Sequence, residues 1–301
     1  QAPLGSNFAS AWKTCSALSS FPAGAKLGTE ATGSVSFSSA WQSSGLTSFS
    51  TPLPTATAVN LAWVNCTSLS SFSSELPLVT NVSQAWQTCT SLTSFNTELP
   101  SATSISYAWY NCASLSSFTT TDIKKGSNFF SAWHSCSALT SFPSDALLGT
   151  EATNVNFSQA WRDSGLTSFS TPLPSGDSFY ASWRDCTNLS SFSSEINGTN
   201  VRFTWYGCSS LTSFSTPLPL AQRLDLAWQN CTSLLDFSAD VFANWNPSAL
   251  STGIFNGTWD GCTALTAQSV ENILTSIDAS GKYGTSTGAS GGSALADAGI
   301  D

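Results

Sequence analysis

Hydrophobic and polar positions alternate along this chain in one unit that returns many times. The unit reads apolar-x-x-Ala-Trp-x-x-Cys-x-x-Leu-x-Ser-Phe, as in residues 59–72. Its Leu-x-x-Phe part predicts a short strand with both hydrophobic side chains inward, and a proline that follows, such as Pro52, ends the strand. Its Ala-Trp-x-x-Cys part predicts a helical turn on the opposite face, with the indole inside. Eleven tryptophans mark the copies: Trp12, Trp41, Trp63, Trp86, Trp109, Trp133, Trp161, Trp183, Trp205, Trp228 and Trp259.

The spacing of these tryptophans predicts the architecture. Seven of the intervals are 22 to 24 residues long, and the other three are 28, 29 and 31. A period of roughly 20 to 29 residues with Cys and Leu at fixed offsets is typical of leucine-rich repeats. We therefore predict a repeat solenoid, a leucine-rich-repeat array of about eleven rungs over residues 1–266, with one short strand per rung.

A longer period lies over the short one. Residues 5–8 (Gly-Ser-Asn-Phe) return at 126–129, and residues 28–32 (Gly-Thr-Glu-Ala-Thr) return at 149–153. A block of about 120 residues, or five rungs, has therefore been duplicated. Solenoids can grow in this way because each rung contacts only its neighbours.

The end of the array departs from the pattern. An insertion near 238–252 contains Trp245 out of register, which we expect to be either a local plug of the core or an exposed contact. Apolar residues at helical spacing then predict a capping helix over 267–277, which a repeat array needs at an open end. The remainder, 278–301, is rich in Gly, Ser and Ala and is predicted to be a loop-like tail.

The repeats resemble the BspA-type leucine-rich repeats, whose units read Ile-x-x-x-Ala-Phe-x-x-Cys-x-x-Leu-x-x-Ile. Here Trp replaces the usual Phe, Phe replaces the final Ile, and the match covers about residues 5 to 266. The resemblance implies a surface protein, since such repeats occur in bacterial adhesins, protist surface proteins and phage tail or fibre proteins. Residues 265–278 look like the ending of repeat proteins common in phage fibres, which implies the tail-fibre kind.

Composition narrows the range of partners. Charged residues make up 9% of the chain and its net charge is −9, whereas about 25% of residues are charged in typical soluble proteins. Because phosphate binding needs clustered Lys and Arg, we expect no nucleic-acid partner. No apolar stretch reaches about 18 residues, so we expect no membrane insertion. The chain begins at Gln1 and contains no methionine, and we expect a mature or excised portion of a longer secreted or assembled protein.

The cysteines form a column of their own. All nine stand three residues after a tryptophan of the repeat. Equivalent Cβ atoms on rungs about 4.8 Å apart lie outside the usual disulfide range of about 3.5–4.5 Å. We therefore predict buried free thiols that pack as small hydrophobic groups. The rungs of Trp41 and Trp161 lack the thiol and are one residue shorter between Trp and Leu.

Catalytic chemistry has little support in the sequence. The single histidine, His134, has no acid or nucleophile near it in sequence, and no phosphate-binding glycine motif follows a strand. Because the thiols belong to the core, we expect no metal site. Asp163 and Asp185 each follow an arginine and are expected to form surface ion pairs. We predict no enzyme activity, no cofactor and no catalytic residue.

Two surfaces are candidates for binding. The first is the strand face, because repeat proteins often bind there; an equally good interpretation is that small polar residues suit an uncharged strand. Its outward hydroxyl columns include Thr93, Ser94, Ser116 and Ser117. The second is the column just after each tryptophan, where Tyr can stack on a sugar and Arg can bind carboxylate or sulfate; the alternative is a solvated column of free composition. Five consecutive rungs place aromatic or cationic side chains there: Tyr110, His134, Arg162, Arg184 and Tyr206.

These features favour a non-enzymatic extracellular, cell-surface or virion-surface recognition module that binds a host or neighbouring surface component, a glycan or a protein. The alternative is a purely structural or assembly protein that self-associates into a spacer or filament. A minor alternative is ice binding, because regular Thr and Ser columns resemble ice-binding faces, although Pro143 and Asp236 interrupt the columns.

Overall fold

The computed structural model describes residues 1–249 and 253–282. The chain forms two compact units, Gln1–Thr153 and Asn154–Asp301, and each unit is built from short parallel strands of successive repeats. The predicted leucine-rich-repeat solenoid is therefore confirmed. Residues 250–252 of the predicted insertion and 283–301 of the predicted tail lie outside the described residues.

The strands of the first unit are two or three residues long. They are β1 (Val35–Ser36), β2 (Ser48–Phe49), β3 (Ala56–Ala58), β4 (Ser71–Phe72), β5 (Ser94–Phe95), β6 (Ser117–Phe118), β7 (Asp122–Ile123) and β8 (Leu147–Leu148). Strands β2, β4, β5 and β6 form one parallel sheet in that order, while β1 pairs with β3 and β7 pairs with β8. Because each strand of the four-stranded sheet is the Ser-Phe pair of its repeat, the serines are register neighbours.

The second unit repeats this arrangement. Its strands are β9 (Val155–Asn156), β10 (Ser168–Phe169), β11 (Gly176–Ser178), β12 (Ser191–Phe192), β13 (Gly198–Asn200), β14 (Ser213–Phe214) and β15 (Asp236–Phe237). Strand β10 pairs with β12, β14 pairs with β15, and β9, β11 and β13 form a separate parallel sheet. Besides the predicted strand at the phenylalanine, the rungs thus carry a second ladder of short strands just before the tryptophan segment.

The strand at the phenylalanine forms in eight of the eleven repeats within the described residues. It does not form at Phe21 or Phe142, because each is followed by a proline, which has no N–H group for the ladder. It also does not form after Trp259, where the chain enters a helix. All eleven expected repeats therefore have a tryptophan segment, and in eight of them this segment is followed by a strand at the phenylalanine.

The tryptophan segments are hydrogen-bonded turns, and the expected helical turn is wrong. In each repeat the residues two before and two after the tryptophan have positive φ, for example Leu61 at 60° and Asn65 at 58°. A left-handed residue on each side interrupts an α-helix. The N–H groups of the same two residues donate to the carbonyl groups of Ser83 and Gln87 in the next rung, at 3.0 and 2.9 Å. The turns therefore bind neighbouring rungs together, as strands do.

Stacked aromatic rings fill the core. From Trp41 onward the anchoring indoles are at most 1% exposed. Neighbouring indoles are nearly parallel, as in Trp63 and Trp86, whose centroids are 5.5 Å apart at 4°. Phe72 lies edge-on to Trp63 at 4.8 Å and 74°. Ring pairs of this kind contribute about 0.5–1.5 kcal/mol each beyond the area that they bury, so the repeat tryptophans act as core packing.

The thiol column is buried, as predicted, with one exception. All nine cysteines are free and eight are buried, but Cys15 is exposed because it belongs to the first repeat. The Sγ of Cys66 donates to the carbonyl oxygen of Trp41 at 3.0 Å, and the other buried thiols repeat this bond. In the two short repeats Ser44 and Ser164 take the thiol position, with Ser44 Oγ 3.3 Å from Cys66 Sγ. A hydroxyl thus replaces the missing thiol.

The α-helix α1 (Ala267–Ala279) caps the last strand of the second unit. The Ser269 hydroxyl accepts the N–H of Phe237 and donates to the carbonyl of Leu235, both at 2.9 Å. The Asn272 amide donates to the carbonyl of Phe237 at 2.9 Å. These two side chains supply the hydrogen bonds that a next strand would make, so the edge of β15 is closed.

The insertion before the last repeat packs inward. Trp245 is 1% exposed, and its Nε1 donates to the carbonyl of Ala221 at 2.7 Å. Its ring lies 5.7 Å from that of Phe242 and 5.6 Å from that of Phe255. Of the two expectations for Trp245, the plug is correct.

Candidate binding surface

The outer face of the tryptophan turns displays side chains in columns. From Trp41 onward, the tryptophan and the residue before it face the core in every turn, whereas most side chains two and three residues before it, or one and two residues after it, reach solvent. Parallel stacking of the rungs aligns these positions. Aromatic and charged side chains concentrate in two groups on this face, one in each unit.

In the first unit, four aromatic side chains form one cluster. The rings of Tyr110 and His134 are 4.9 Å apart and edge-on. Tyr107 lies 5.7 Å from Tyr110 and 5.2 Å from Phe130. All four side chains are half-buried, so each leaves part of its surface exposed. We call these four residues the tyrosine cluster.

In the second unit, arginines stack on aromatic rings. The guanidinium carbon of Arg184 lies 4.7 Å from the ring centroid of Tyr206 and 5.4 Å from that of Phe203. The guanidinium carbon of Arg202 lies 5.5 Å from the Phe203 ring, and Tyr180 is edge-on to that ring at 5.6 Å. Cation–π contacts at exposed sites contribute about 0.5–1 kcal/mol. We call these five residues the arginine cluster.

Each arginine on this face is paired with an aspartate, as predicted for the first two. The pairs are Arg162–Asp163 at 3.2 Å, Arg184–Asp185 at 3.0 Å and Arg202–Asp225. In each pair the guanidinium Nε contacts one carboxylate oxygen, and a guanidinium has five N–H donors. The pairs therefore balance the charge of the face and leave donors for a ligand.

The predicted column divides between the two units. Tyr110 and His134 touch in the first unit, and Arg184 and Tyr206 touch in the second. Arg162 contacts Asp163 through its Nε. Whether these five residues bind a ligand stays a prediction.

Other residues of the two clusters escaped the sequence reasoning, which followed only the position after each tryptophan. They stand two or three positions before a tryptophan: Tyr107, Phe130, Tyr180, Arg202 and Phe203. The signal was available, because aromatic residues outside the core positions of the repeat are few. Following both columns would have found the clusters.

The strand face presents the other predicted residues. Ser94 and Ser117 are register neighbours in β5 and β6, and both are exposed. The hydroxyl of Ser116 donates to the carbonyl of Thr93, and that of Thr93 donates to the carbonyl of Ser70, each at 3.3 Å. Two of the four predicted hydroxyls therefore link rungs, and the other two face solvent.

A shallow cleft of about 410 Å³ opens beside this face in the first unit. It lies between the segments 73–77 and 96–100 of adjacent rungs, and its charged lining residues are Glu75 and Glu98. The Glu98 carboxylate accepts the backbone N–H of Thr121 at 3.1 Å and that of Asp122 at 2.6 Å. The next rung thus holds this carboxylate in place, and the cleft is acidic.

Within residues 1–249 and 253–282, no group of three or more His, Cys, Asp or Glu side chains is placed to hold a metal ion. None of the helices in these segments combines the length and the apolar character needed to cross a membrane.

The solved structures that are similar to this chain include two leucine-rich-repeat proteins. One is a leucine rich cell surface protein from Faecalibacterium prausnitzii A2-165, with 18% sequence identity and a TM-score of 0.28 over 73% of this chain and 78% of that chain. The other is a leucine-rich repeat protein from Bacteroides ovatus ATCC 8483, with 15% identity and a TM-score of 0.24 over 72% of this chain and 77% of that chain. No protein-family model and no curated protein matches the chain. The tail-fibre kind stays a prediction.

Proposed function

We propose that this chain is a non-catalytic recognition module on the exterior of a cell or virion and that it binds glycans through the outer face of its tryptophan turns. The observation that carries this proposal is the grouping of half-buried aromatic rings there, in a chain with only 9% charged residues. Surface patches of apolar rings mark interaction sites. A sugar can place its C–H groups on a ring face and its hydroxyls against neighbouring polar groups.

The charges of the arginine cluster favour a neutral glycan. Arg184 and Arg202 are already paired with Asp185 and Asp225. A sulfated or carboxylated sugar would have to compete with these carboxylates, whereas a neutral hydroxyl can accept from a free guanidinium N–H and donate to the carboxylate. The net charge of −9 also repels polyanions at long range. This proposal replaces the expectation that arginine selects an acidic ligand.

The buried thiols are compatible with a location outside the cell. Burial raises the pKa of Cys136 and of Cys186 to about 12. The thiolate is the reactive form of cysteine, so these side chains stay protonated and unreactive at neutral pH. A free-thiol core can therefore persist outside the reducing cytosol.

A glycan array followed by titration calorimetry tests the proposal. For a neutral oligosaccharide identified on the array, Tyr206→Ala or Tyr110→Ala should raise Kd about fivefold, since one stacked ring contributes about 1 kcal/mol. The matched control is Gln42→Ala, which changes the same position of a turn outside both clusters and should leave Kd unchanged. An array without a neutral glycan, or equal affinity in all three variants, would contradict the proposal.

A head-to-tail filament fits the structure less well. Its rungs would have to add to the last strand of a neighbouring copy, and α1 already bonds to the edge of β15 through Ser269 and Asn272. Electron microscopy of the purified chain distinguishes the two functions, because a spacer protein should form filaments and a recognition module should not.

A further inference from the structure

Backbone hydrogen bonds join neighbouring rungs of the first unit just beyond the strands at the phenylalanine. Between the rungs of β5 and β6, Thr119 N–H donates to the carbonyl of Phe95 at 2.9 Å, and Leu99 N–H donates to that of Asp122 at 3.0 Å. The same two bonds join the rungs of β2 and β4, at 3.0 and 3.3 Å. They extend the two-residue strands into a longer ladder on both sides of the β4–β5 junction.

The β4–β5 junction lacks both bonds. Only the serines of these strands are register partners, whereas the β2–β4 and β5–β6 pairs also include the phenylalanines. Within the described chain, the N–H groups of Leu76 and Asn96 donate no hydrogen bond, and the carbonyl of Glu98 accepts none. Leu76 is 1% exposed, and buried backbone N–H groups nearly always have a partner. Leu76 therefore offers a buried donor to a ligand.

The cleft between segments 73–77 and 96–100 lies at this open junction, since Leu76, Asn96 and Glu98 all line it. Its volume of about 410 Å³ is within the range of roughly 300–1,000 Å³ that is typical of ligand sites. Leu76, Pro77 and Pro100 give it apolar walls. A donor, an acceptor and apolar surface thus meet in one place.

The charge of the cleft is negative. Its lining contains Glu75 and Glu98 and no lysine or arginine. Neither glutamate forms an ion pair within the described residues, and Lys124 contacts Asp122 and Glu151 instead. Backbone N–H groups of the next rung hold the Glu98 carboxylate in place, and a carboxylate has lone pairs for further donors. The cleft therefore favours a cationic ligand.

The second unit provides an internal comparison. Strands β12 and β14 belong to the corresponding rungs and are not paired with each other, so this junction is open in both copies of the duplicated block. Glu195 corresponds there to Glu75, and Pro217 corresponds to Glu98. The open ladder is thus common to both units, whereas the pair of carboxylates is particular to the first.

We propose that this cleft binds an extended peptide segment of a partner protein, with a lysine or arginine side chain on the two glutamates. A peptide group carries the acceptor that Leu76 N–H lacks and the donor that the Glu98 carbonyl lacks. The next rung supplies these groups at the neighbouring junctions. Bonds from a cationic side chain to Glu75 and Glu98 are charge-assisted and stronger than neutral ones. This site is separate from the tryptophan turns and does not depend on a glycan ligand.

Amide NMR spectroscopy of the isotope-labelled full chain, titrated with the peptide acetyl-Ala-Lys-Ala-amide, tests the proposal. The Leu76 signal should shift until it saturates, with Kd on the order of 1 mM. Glu75→Gln should raise Kd about threefold, because it removes one exposed ion pair. A peptide with norleucine in place of lysine should bind more weakly still. The matched control is Glu195→Gln, at the same offset in the second unit, which should leave Kd unchanged.

Hydrogen exchange tests the open ladder separately. In the free chain the Leu76 N–H should exchange faster than the Leu99 N–H, which is bonded to Asp122. The lysine peptide should slow exchange at Leu76 and leave Leu99 unchanged.

The proposal is overturned if the Leu76 signal does not shift, or if Glu75→Gln or the norleucine peptide leaves Kd unchanged. Equal exchange rates of Leu76 and Leu99 in the free chain would show a closed ladder and would also overturn it. If N-acetylglucosamine shifts the Leu76 signal with a lower Kd than the lysine peptide, the cleft is a glycan site and the peptide proposal is wrong.

Discussion

Replacing Thr97 with valine should destabilise the fold by about 1–3 kcal/mol, whereas Thr93→Val should cost less than about 0.5 kcal/mol. Both hydroxyls belong to one rung and donate to carbonyl groups of the preceding rung. Thr97 bonds to Ser74 at 3.1 Å and Thr93 bonds to Ser70 at 3.3 Å. The two changes remove the same atom and keep the same branched shape, so the difference between them isolates the effect of burial.

The larger effect follows from the buried position of Thr97. It is 7% exposed and belongs to an inward ladder of hydroxyls, each of which donates to the rung before it. Valine would remove a hydrogen bond with a net contribution of about 1 kcal/mol and leave the Ser74 carbonyl unpaired, which costs about 1–3 kcal/mol. Water can replace the exposed Thr93 hydroxyl. The Ser70 carbonyl also keeps the backbone N–H of Thr93, at 3.2 Å.

Urea unfolding followed by tryptophan fluorescence measures the difference. With an m-value of about 2–3 kcal/mol/M, Thr97→Val should lower the midpoint by about 0.3–1.5 M, and Thr93→Val should shift it by less than about 0.25 M. The slopes should remain equal, because neither change alters the surface exposed on unfolding. Equal midpoints for the two variants would refute the buried hydroxyl ladder as a source of stability.

Three further predictions concern the turn, the thiols and the cap. Gly45→Ala should cost at least about 2 kcal/mol in urea unfolding, since an added Cβ would lie 2.0 Å from a backbone oxygen; Gly24→Ala, with nothing within 4 Å, should be neutral. At pH 8 at most one thiol, the exposed Cys15, should react with Ellman's reagent, because burial raises the pKa of a core thiol such as Cys136 to about 12; several fast-reacting native thiols would contradict this. Asn272→Ala should speed hydrogen exchange in β15, and the exposed control Glu271→Ala should not.

The core could be predicted from the sequence because a solenoid gives each offset of the repeat the same surroundings in every rung. Trp63, Cys66, Leu69 and Phe72 are all at most 3% exposed, and the same four offsets are buried in most other repeats. Their spacing alone therefore identified inward positions. The first repeat departs most, because within the described chain Trp12 stacks on another indole on one side alone.

The conformation of the tryptophan segment could not be predicted in the same way. Tyr107 and Phe203 have φ of 56° and 55°, although aromatic residues rarely adopt positive φ. The residue two before the tryptophan therefore carries no signal for these turns. The residue two after it does, because it is Asn, Asp or Gly in seven of the eleven repeats, and these types favour positive φ. The conformation is imposed by hydrogen bonds to the next rung, such as Tyr107 N–H to the carbonyl of Phe130 at 2.8 Å. Such bonds become visible only when rungs are stacked, and they offset the local cost of strain.

Some residues of the candidate surface could be predicted from the sequence, but their contacts could not, for a related reason. Sequence spacing identifies positions within one rung, and the contact between Arg184 and Tyr206 joins two rungs. Within each unit, neighbouring positions of the column after the tryptophan do touch, as Tyr110 and His134 show; a binding role for the column stays a prediction. The contribution of Phe203 required the turn geometry, since its ring contacts the guanidinium groups of both Arg184 and Arg202 only after the rungs are stacked.

The scarcity of charged residues supports the proposal that the binding surface lies on the tryptophan turns. Most polar side chains on the surface of this chain are hydroxyls. They contact water and also donate hydrogen bonds to neighbouring rungs, as the Ser70 hydroxyl does to the carbonyl of Thr47 at 3.0 Å. Charged side chains are not needed for that role. All four arginines nevertheless fall within residues 162–223, and three of them lie on one face with paired aspartates. An ordered group of ion pairs beside half-buried rings, in a chain with few charged residues, supports the proposal that this face takes part in recognition.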